Sequence, residues 1–145
     1  MAGRMVTGRL NEQEAINHLL QNDLKGLPQT PRWVDGSGLS RYNLFTPKDF
    51  VWVLDKMQSE FGMDRIKVLF PHPGAGTLRS FSPADSLRIY AKTGTLTGVN
   101  ALSGFVYTKK NHWLIFSILV NHHMQSSAVI RKKMEEFLTE VIEKY

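Results

Sequence analysis

One short segment combines side chains that could bind a peptide: Lys92, Thr93, Gly94 and Thr95, which lie at the end of a predicted strand. A lysine ammonium attracts a carboxylate, and a threonine hydroxyl can donate a hydrogen bond to it. Glycine has no side chain, so a peptide backbone can lie beside it as an added strand. The segment therefore indicates a strand edge that binds an extended peptide bearing a carboxylate.

Two further motifs precede this segment in the chain. Residues 35–43 read DGSGLSRYN and residues 73–78 read PGAGTL, and the lysine segment extends over residues 91–105 as AKTGTLTGVNALSGF. In this order, the three motifs resemble the serine D-alanyl-D-alanine carboxypeptidase/endopeptidase family of low-molecular-mass penicillin-binding proteins. The resemblance extends from about residue 10 to the end of the chain.

The resemblance implies both a fold and an activity. The fold is the penicillin-binding/β-lactamase-like transpeptidase fold, in which an antiparallel sheet packs against helices. The activity is cleavage of peptidoglycan stem peptides through an acyl-enzyme, which β-lactams trap, at a periplasmic or other extracytoplasmic location. We expect residues 1–145 to form a single domain, the C-terminal portion of such a peptidase domain.

By the same resemblance, Lys92 is a cation of the active site and the backbone N–H of Thr95 is one of two donors to the oxyanion. Thr93 supplies the hydroxyl that binds the substrate carboxylate, and Gly94 lies beside the substrate. The pocket for the side chain of the diamino acid would be lined by Arg41 and Thr97. For the arginine, a surface ion pair is an equally good interpretation.

The family also needs a Ser-x-x-Lys motif, which holds the nucleophile, and a Ser-x-Asn motif. None of the ten serines has a lysine three residues on or an asparagine two residues on. Because no acyl-enzyme forms without a nucleophile and its base, we expect this chain to be catalytically incomplete. It would begin after the Ser-x-Asn motif of a longer enzyme. The alternative is a non-catalytic module that binds peptidoglycan peptides.

Other candidate residues have simpler explanations. Ser37 and Ser40 lie in a glycine-rich turn, where hydrogen bonding within the turn explains them better than nucleophilic activation does. Asp35 is expected to hold the same turn. His122 and His123 are adjacent, and on extended backbone their side chains would point to opposite faces, so we expect them to form no metal site. We expect neither a metal ion nor another cofactor.

The composition is that of a globular protein, with 42% hydrophobic and 21% charged residues. Cysteine is absent, which excludes disulfides, thiolate metal sites and a cysteine nucleophile. The net charge of +5 makes a nucleic-acid-binding domain a third hypothesis, which the scattered basic residues disfavour. Residues 113–120, the longest apolar stretch, are too few to span a membrane. Residues 1–5 contain no apolar segment of a secretory signal.

Apolar periodicity and capping residues predict the elements that position these motifs. The predicted helices cover residues 11–24, 46–61 and 126–143, with one or two further helical turns at 63–69. The predicted strands cover residues 32–34, 87–93, 101–108 and 112–120. The last three strands form an antiparallel meander, which makes the fold α+β. So small a sheet exposes its edges, and we expect a larger sheet or a homo-oligomer.

The same periodicity predicts which side chains face the core. In the second helix the predicted stripe reaches Phe61. In the last helix it includes Met134, Phe137, Leu138 and Tyr145.

Overall fold

The computed structural model describes residue 8 and residues 11–145. Residues 1–5, in which no secretory signal is predicted, lie outside the described part. The chain divides into two compact units, the first ending at Val53 and the second running from Leu54 to Tyr145. None of the helices in the described part is both long and apolar enough to cross a membrane.

The first unit begins with helix α1 (Glu12–Gln21). Asn11 caps it, since the Asn11 Oδ1 atom accepts a hydrogen bond from the Glu14 N–H at 3.2 Å. The predicted start of this helix is confirmed, and turns follow the helix to residue 26. The predicted strand at 32–34 is reduced to a single bridge between Arg32 and Leu44.

Helix α2 (Pro47–Leu69) starts with a reciprocal cap. The Thr46 N–H donates to Asp49 Oδ2 at 2.8 Å, and the Asp49 N–H donates to Thr46 Oγ1 at 3.3 Å. This is a capping box, which satisfies two backbone donors at the helix start. The predicted helix start is confirmed.

Gly62 interrupts α2 with φ 72° and ψ 162°, a conformation that only glycine adopts readily. The prediction that the first helical segment ends here is confirmed, and residues 63–69 are helical beyond the break. The expected burial of Phe61 is wrong, because its side chain is 51% exposed. The break at Gly62 ends the apolar stripe next to Phe61. The buried apolar residues of α2 are Leu54, before the break, and Ile66, after it.

The second unit contains one antiparallel sheet with the order β1-β2-β3. Its strands are β1 (Ile89–Leu96), β2 (Val99–Tyr107) and β3 (Trp113–Asn121). The predicted meander is confirmed. In the first hairpin, however, β1 ends three residues later than the sequence pattern indicated, and β2 begins two residues earlier.

Helix α3 (Ser127–Lys144) covers one face of this sheet, which we call the α3 face. The core between them contains buried residues of the sheet, the helix and the preceding loop: Leu78, Phe81, Ile89, Ala91, Leu102, Val106, Met134, Leu138 and Ile142. The buried side chains of α3 recur every four residues from Met134. Phe137 and Tyr145 lie off this stripe and are 52% and 51% exposed, so their predicted burial is wrong.

The other face of the sheet, the opposite face, holds a smaller cluster. Leu54, Ile66 and Phe105 are buried there, and the Phe70 ring meets the Phe105 ring edge-on at 5.8 Å. The part of α2 that belongs to the second unit therefore packs on this face. The sheet is covered on both faces at one end, and the predicted α+β architecture is confirmed.

Gly104 of β2 provides a test of strand packing. A methyl group at this position would lie 2.2 Å from the Tyr90 carbonyl oxygen and 2.6 Å from Ala91 Cα. We expect Gly104→Ala to lower the free energy of unfolding by about 1–3 kcal/mol, because backbone atoms of β1 must move. Urea denaturation measures this change.

Gly94→Ala is the matched control, because there the new methyl group would meet only Ala101 Cβ, at 3.3 Å. It should cost less stability than Gly104→Ala. Equal losses for the two variants would contradict the close approach of β1 to β2 at Gly104.

Candidate active site

A two-residue turn, Thr97 and Gly98, joins β1 to β2. Gly98 has φ 73°, which glycine adopts without the strain that a side chain would cause. The register places Leu96 opposite Val99, and this pair closes the hairpin. In an antiparallel ladder the direction of the backbone hydrogen bonds alternates along each strand. The even-numbered residues of β1 therefore bond to β2, and the odd-numbered ones direct their N–H and C=O groups outwards.

Two hydrogen bonds agree with this alternation. The Tyr107 N–H donates to the Arg88 carbonyl at 2.7 Å, on the inner side. The Ala91 N–H donates to the Pro71 carbonyl at 2.9 Å, on the outer side. Thr93 and Thr95 follow Ala91 at two-residue intervals, so their backbone groups also point away from β2. We call the outer edge of β1 at residues 92–95 the motif edge.

The motif edge carries the side chains that the sequence singled out. Lys92 is exposed, and its ammonium donates a hydrogen bond to the Thr93 carbonyl oxygen at 2.9 Å. Thr93 is half-buried, whereas Gly94 and Thr95 are exposed. An ammonium group, two hydroxyls and two outward backbone N–H groups thus lie along one short length of strand.

Strand alternation divides these side chains between the two faces of the sheet. Thr93 and Thr95 share the α3 face with Ala91, which packs in the core beneath α3. Lys92 and Gly94 lie on the opposite face. The structure brings the four residues to one edge but not to one face, so a ligand at this edge would meet both sets.

The motif at residues 73–78 forms the loop that precedes β1. Gly74 and Gly76 have positive φ values of 85° and 53°. The Gly74 N–H donates to the Leu78 carbonyl at 3.1 Å, and Leu78 is fully buried. This closed loop follows Pro71, whose carbonyl oxygen covers the outer edge at Ala91. The motif edge therefore begins where this cover ends.

The motif at residues 35–43 is a hydrogen-bonded turn in the first unit. The Ser37 N–H and hydroxyl both donate to Asp35 Oδ1, at 3.0 and 2.7 Å. These bonds, the hydroxyl bond first, hold the pKa of the Asp35 carboxyl below its usual value, with smaller contributions from Asn43 and Ser40. The prediction that Ser37, Ser40 and Asp35 hold a turn is confirmed.

The two residues assigned to the diamino-acid pocket lie in different units. Arg41 is exposed within the turn of the first unit. Thr97 is exposed in the turn between β1 and β2. Their predicted role stays a prediction.

The two histidines lie beyond the sheet, and the expectation that both lie on extended backbone is wrong. β3 ends at Asn121, and His122 has φ 54°. The His123 ring makes two hydrogen bonds. Its Nδ1 atom lies 2.9 Å from the Gln125 carbonyl oxygen, and its Nε2 atom lies 2.6 Å from the Asn100 amide nitrogen. Within residues 11–145, no three His, Asp or Glu side chains are grouped to hold a metal ion.

Sequence reasoning missed Arg131 of α3, whose Nη2 donates to Thr95 Oγ1 at 2.9 Å. The basic run from Arg131 to Lys133 resembles an ordinary solvated surface. No local pattern distinguishes Arg131 from the two lysines that follow it, so the sequence carried no signal of this contact.

Comparison with known proteins identifies the family of the chain. Residues 13–141 match the D-Ala-D-Ala carboxypeptidase 3 (S13) family. The chain is 37% identical over 100 residues to penicillin-sensitive carboxypeptidase A of Dictyostelium discoideum, covering 61% of this chain and 19% of that protein. It is 36% identical over 130 residues to a D-alanyl-D-alanine carboxypeptidase of Actinomadura sp., covering 84% and 23% respectively.

Solved structures share the fold. Penicillin binding protein 4 of Haemophilus influenzae superposes with a TM-score of 0.75 and 27% identity, over 90% of this chain and 31% of that one. A predatory endopeptidase of Bdellovibrio bacteriovorus, acylated by penicillin G, superposes with a TM-score of 0.75 over 92% and 39%. At 19% identity, this second match supports the fold alone.

The fold is thus that of a penicillin-binding domain, and the predicted fold class is confirmed. The chain belongs to the D-Ala-D-Ala carboxypeptidase 3 (S13) family, which confirms the resemblance found in the sequence. It spans about a fifth of the length of the curated relatives that it matches.

The turn at Asp35 gives a prediction about its carboxyl group. Because the Ser37 hydroxyl bond is the largest cause of the lowered pKa, Ser37→Ala should raise the Asp35 pKa towards its usual value. A carboxyl whose pKa is lowered on folding stabilises the fold above its unfolded pKa, and this stabilisation is lost as the pH falls through the folded pKa. Titration of the Asp35 carboxyl carbon by NMR measures the change.

Ser40→Ala is the matched control, since Ser40 is the smallest contributor to the lowered pKa. It should move the Asp35 pKa less than Ser37→Ala does. An unchanged pKa in Ser37→Ala would contradict the role assigned to the serine hydroxyl.

Proposed function

We propose that this chain is the C-terminal part of a serine-type D-Ala-D-Ala carboxypeptidase/endopeptidase that acts on peptidoglycan stem peptides outside the cytoplasm. Its contribution is the motif edge, which forms one wall of the substrate cleft. The observation that carries the proposal is the position of Lys92, Thr93 and Thr95 on an uncovered strand edge, in a chain that belongs to this family.

An extended peptide is the ligand that suits such an edge. The outward N–H and C=O groups of Thr93 and Thr95 can pair with a peptide backbone, which then extends the sheet by one strand. Gly94 leaves the opposite face of this segment free of side-chain bulk. Binding by strand addition orients the terminal peptide bond relative to β1 before any chemistry occurs.

The residues of the motif edge have separate roles in recognition and catalysis. The Thr93 hydroxyl donates to the terminal carboxylate of the peptide, and the Lys92 ammonium supplies positive charge from the other face of the same strand edge. The Thr95 N–H donates to the oxygen that becomes negative when the peptide carbonyl is attacked. Loss of one such donor commonly costs about 3–4 kcal/mol of transition-state stabilisation.

The nucleophile must come from a preceding segment. A serine hydroxyl there attacks the carbonyl carbon, and its proton passes through a neighbouring lysine to the nitrogen of the departing D-alanine. Water then hydrolyses the ester and frees the serine. Because no serine of these 145 residues stands in a Ser-x-x-Lys or Ser-x-Asn motif, the chain by itself forms no acyl-enzyme.

Arg41 and Thr97 are the proposed contacts for the side chain of the diamino acid. Both are exposed, and both belong to motifs that the family resemblance identified. A guanidinium and a hydroxyl can bind a carboxylate or an amide at the end of that side chain. These two residues would therefore set specificity rather than the rate of the chemical step.

Intact mass after incubation with excess benzylpenicillin tests the proposal. We expect no change in mass for the chain alone. A longer chain whose upstream segment supplies both missing motifs should gain the full mass of one drug molecule, because the opened β-lactam stays attached to the serine. In that longer chain, Lys92→Met should slow acylation at least about 100-fold.

Lys110→Met is the matched control, since Lys110 is an exposed lysine in the turn between β2 and β3. It should leave the rate of acylation unchanged. A mass gain in the chain alone would contradict the assignment of the nucleophile. A longer chain that binds peptides ending in D-Ala-D-Ala but is never acylated would favour a non-catalytic binding module.

The outer edge of β3 also bears on assembly. Apolar residues fill both faces of this strand from Trp113 to Val120, interrupted by Ser117, and none of them is fully buried. Strands with this pattern usually lie inside a sheet. We propose that the isolated chain self-associates through this edge at micromolar concentration, which light scattering measures. A monomer under those conditions would contradict this expectation.

A further inference from the structure

The start of α3 is tied to the motif edge by polar contacts. Asn100 of β2 is directly opposite Thr95 in the strand register. The buried Asn100 amide donates to Ser127 Oγ, in the first turn of α3, at 3.2 Å. One turn further along the helix, Arg131 Nη2 donates to Thr95 Oγ1 at 2.9 Å. Residues four apart lie on the same helix face, so the two contacts form a ladder from helix to hairpin.

Arg131 differs from the two lysines that follow it. Its side chain is half-buried, whereas Lys132 and Lys133 are exposed. Lys133 pairs with Glu136 at 2.6 Å, within the helix itself. In this basic run, Arg131 contacts β1 through its bond to Thr95.

The contact decides what the Thr95 hydroxyl can do. A guanidinium has five N–H donors and no acceptor, so the hydroxyl oxygen must accept this bond. The hydroxyl hydrogen is then left to donate elsewhere. Thr93 and Thr95 lie on the same face about 7 Å apart, because each strand residue advances the chain by about 3.4 Å. A carboxylate between them can accept from both hydroxyls.

We propose that Arg131 is a positioning residue of the carboxylate subsite. Its guanidinium fixes the Thr95 hydroxyl as a donor and places a positive charge one hydrogen bond away from the terminal carboxylate of the ligand. The inference rests on the proposed function, because it assumes that a peptide lies along the motif edge. It adds a residue from α3 to a site otherwise built from the strand.

The test uses the chain as it is, uniformly labelled with ¹⁵N. N-acetyl-D-alanyl-D-alanine and its C-terminal carboxamide are titrated separately, and the amide shifts of residues 93–95 give the two dissociation constants. The wild-type chain should prefer the carboxylate. Arg131→Gln should weaken carboxylate binding at least fivefold and leave carboxamide binding unchanged. A purely structural role would weaken both ligands equally.

Two further variants sharpen the comparison. Lys132→Gln removes the same charge from the next residue and should keep the wild-type preference. Arg131→Lys retains a charged donor and should recover part of the preference, which also covers the case in which the glutamine variant fails to fold. The ¹⁵N spectra themselves report whether each variant is folded.

Other results overturn the inference. Equal weakening of both ligands by Arg131→Gln, or the same loss of preference in Lys132→Gln, would assign the effect to packing or to net charge. Lack of any carboxylate preference in the wild-type chain would also overturn the inference. These outcomes are separate from failure of the proposed function, which is judged by penicillin acylation of the longer chain.

Discussion

The pairing of β1 with β2 across the turn at Thr97 and Gly98 controls what the motif edge presents. A turn of two residues fixes Leu96 opposite Val99, and the alternation of the ladder then sets the direction of every backbone group in β1. A shift of one residue would direct the Thr93 and Thr95 N–H groups into the sheet. The left-handed conformation of Gly98 is therefore a requirement of the site as well as of the turn.

β1 serves two purposes along its length. Its first three residues, Ile89 to Ala91, are buried, and the Pro71 carbonyl covers the edge at Ala91. The following residues are half-buried or exposed, and Lys92, Thr93 and Thr95 belong to this part. The buried half packs in the core, and the motif edge continues from it along the same strand. Such an arrangement suits a site whose donors must keep their positions.

The elements with strong local signals were predictable. Asn11 and Thr46 begin their helices as capping residues should, and Gly62 interrupts α2 where the pattern indicated. Three motifs in the expected order identified the family, and no single one of them could have done so. The first hairpin was predicted too short at its turn, because Gly94, Thr95 and Asn100 interrupt the apolar pattern of its strands. The outward direction of Thr95 depended on that turn.

Contacts between residues far apart in the sequence could not be predicted from local patterns. Phe137 fits an apolar stripe on its helix, but the sheet meets the neighbouring stripe through Met134 and Leu138. The bond from Arg131 to Thr95 joins residues 36 positions apart, and no local pattern encodes it. The chain also spans only about a fifth of its curated relatives, so the proposed nucleophile lies outside the residues from which the fold could be argued.

A crystal structure of the longer chain after reaction with benzylpenicillin would test the central claim most directly. We expect the carbonyl oxygen of the attached drug within hydrogen-bonding distance of the Thr95 backbone nitrogen, with the drug carboxylate beside the Thr93 and Thr95 hydroxyls. An acyl group placed away from the outer edge of β1 would contradict the assignment of that edge as the wall of the substrate cleft.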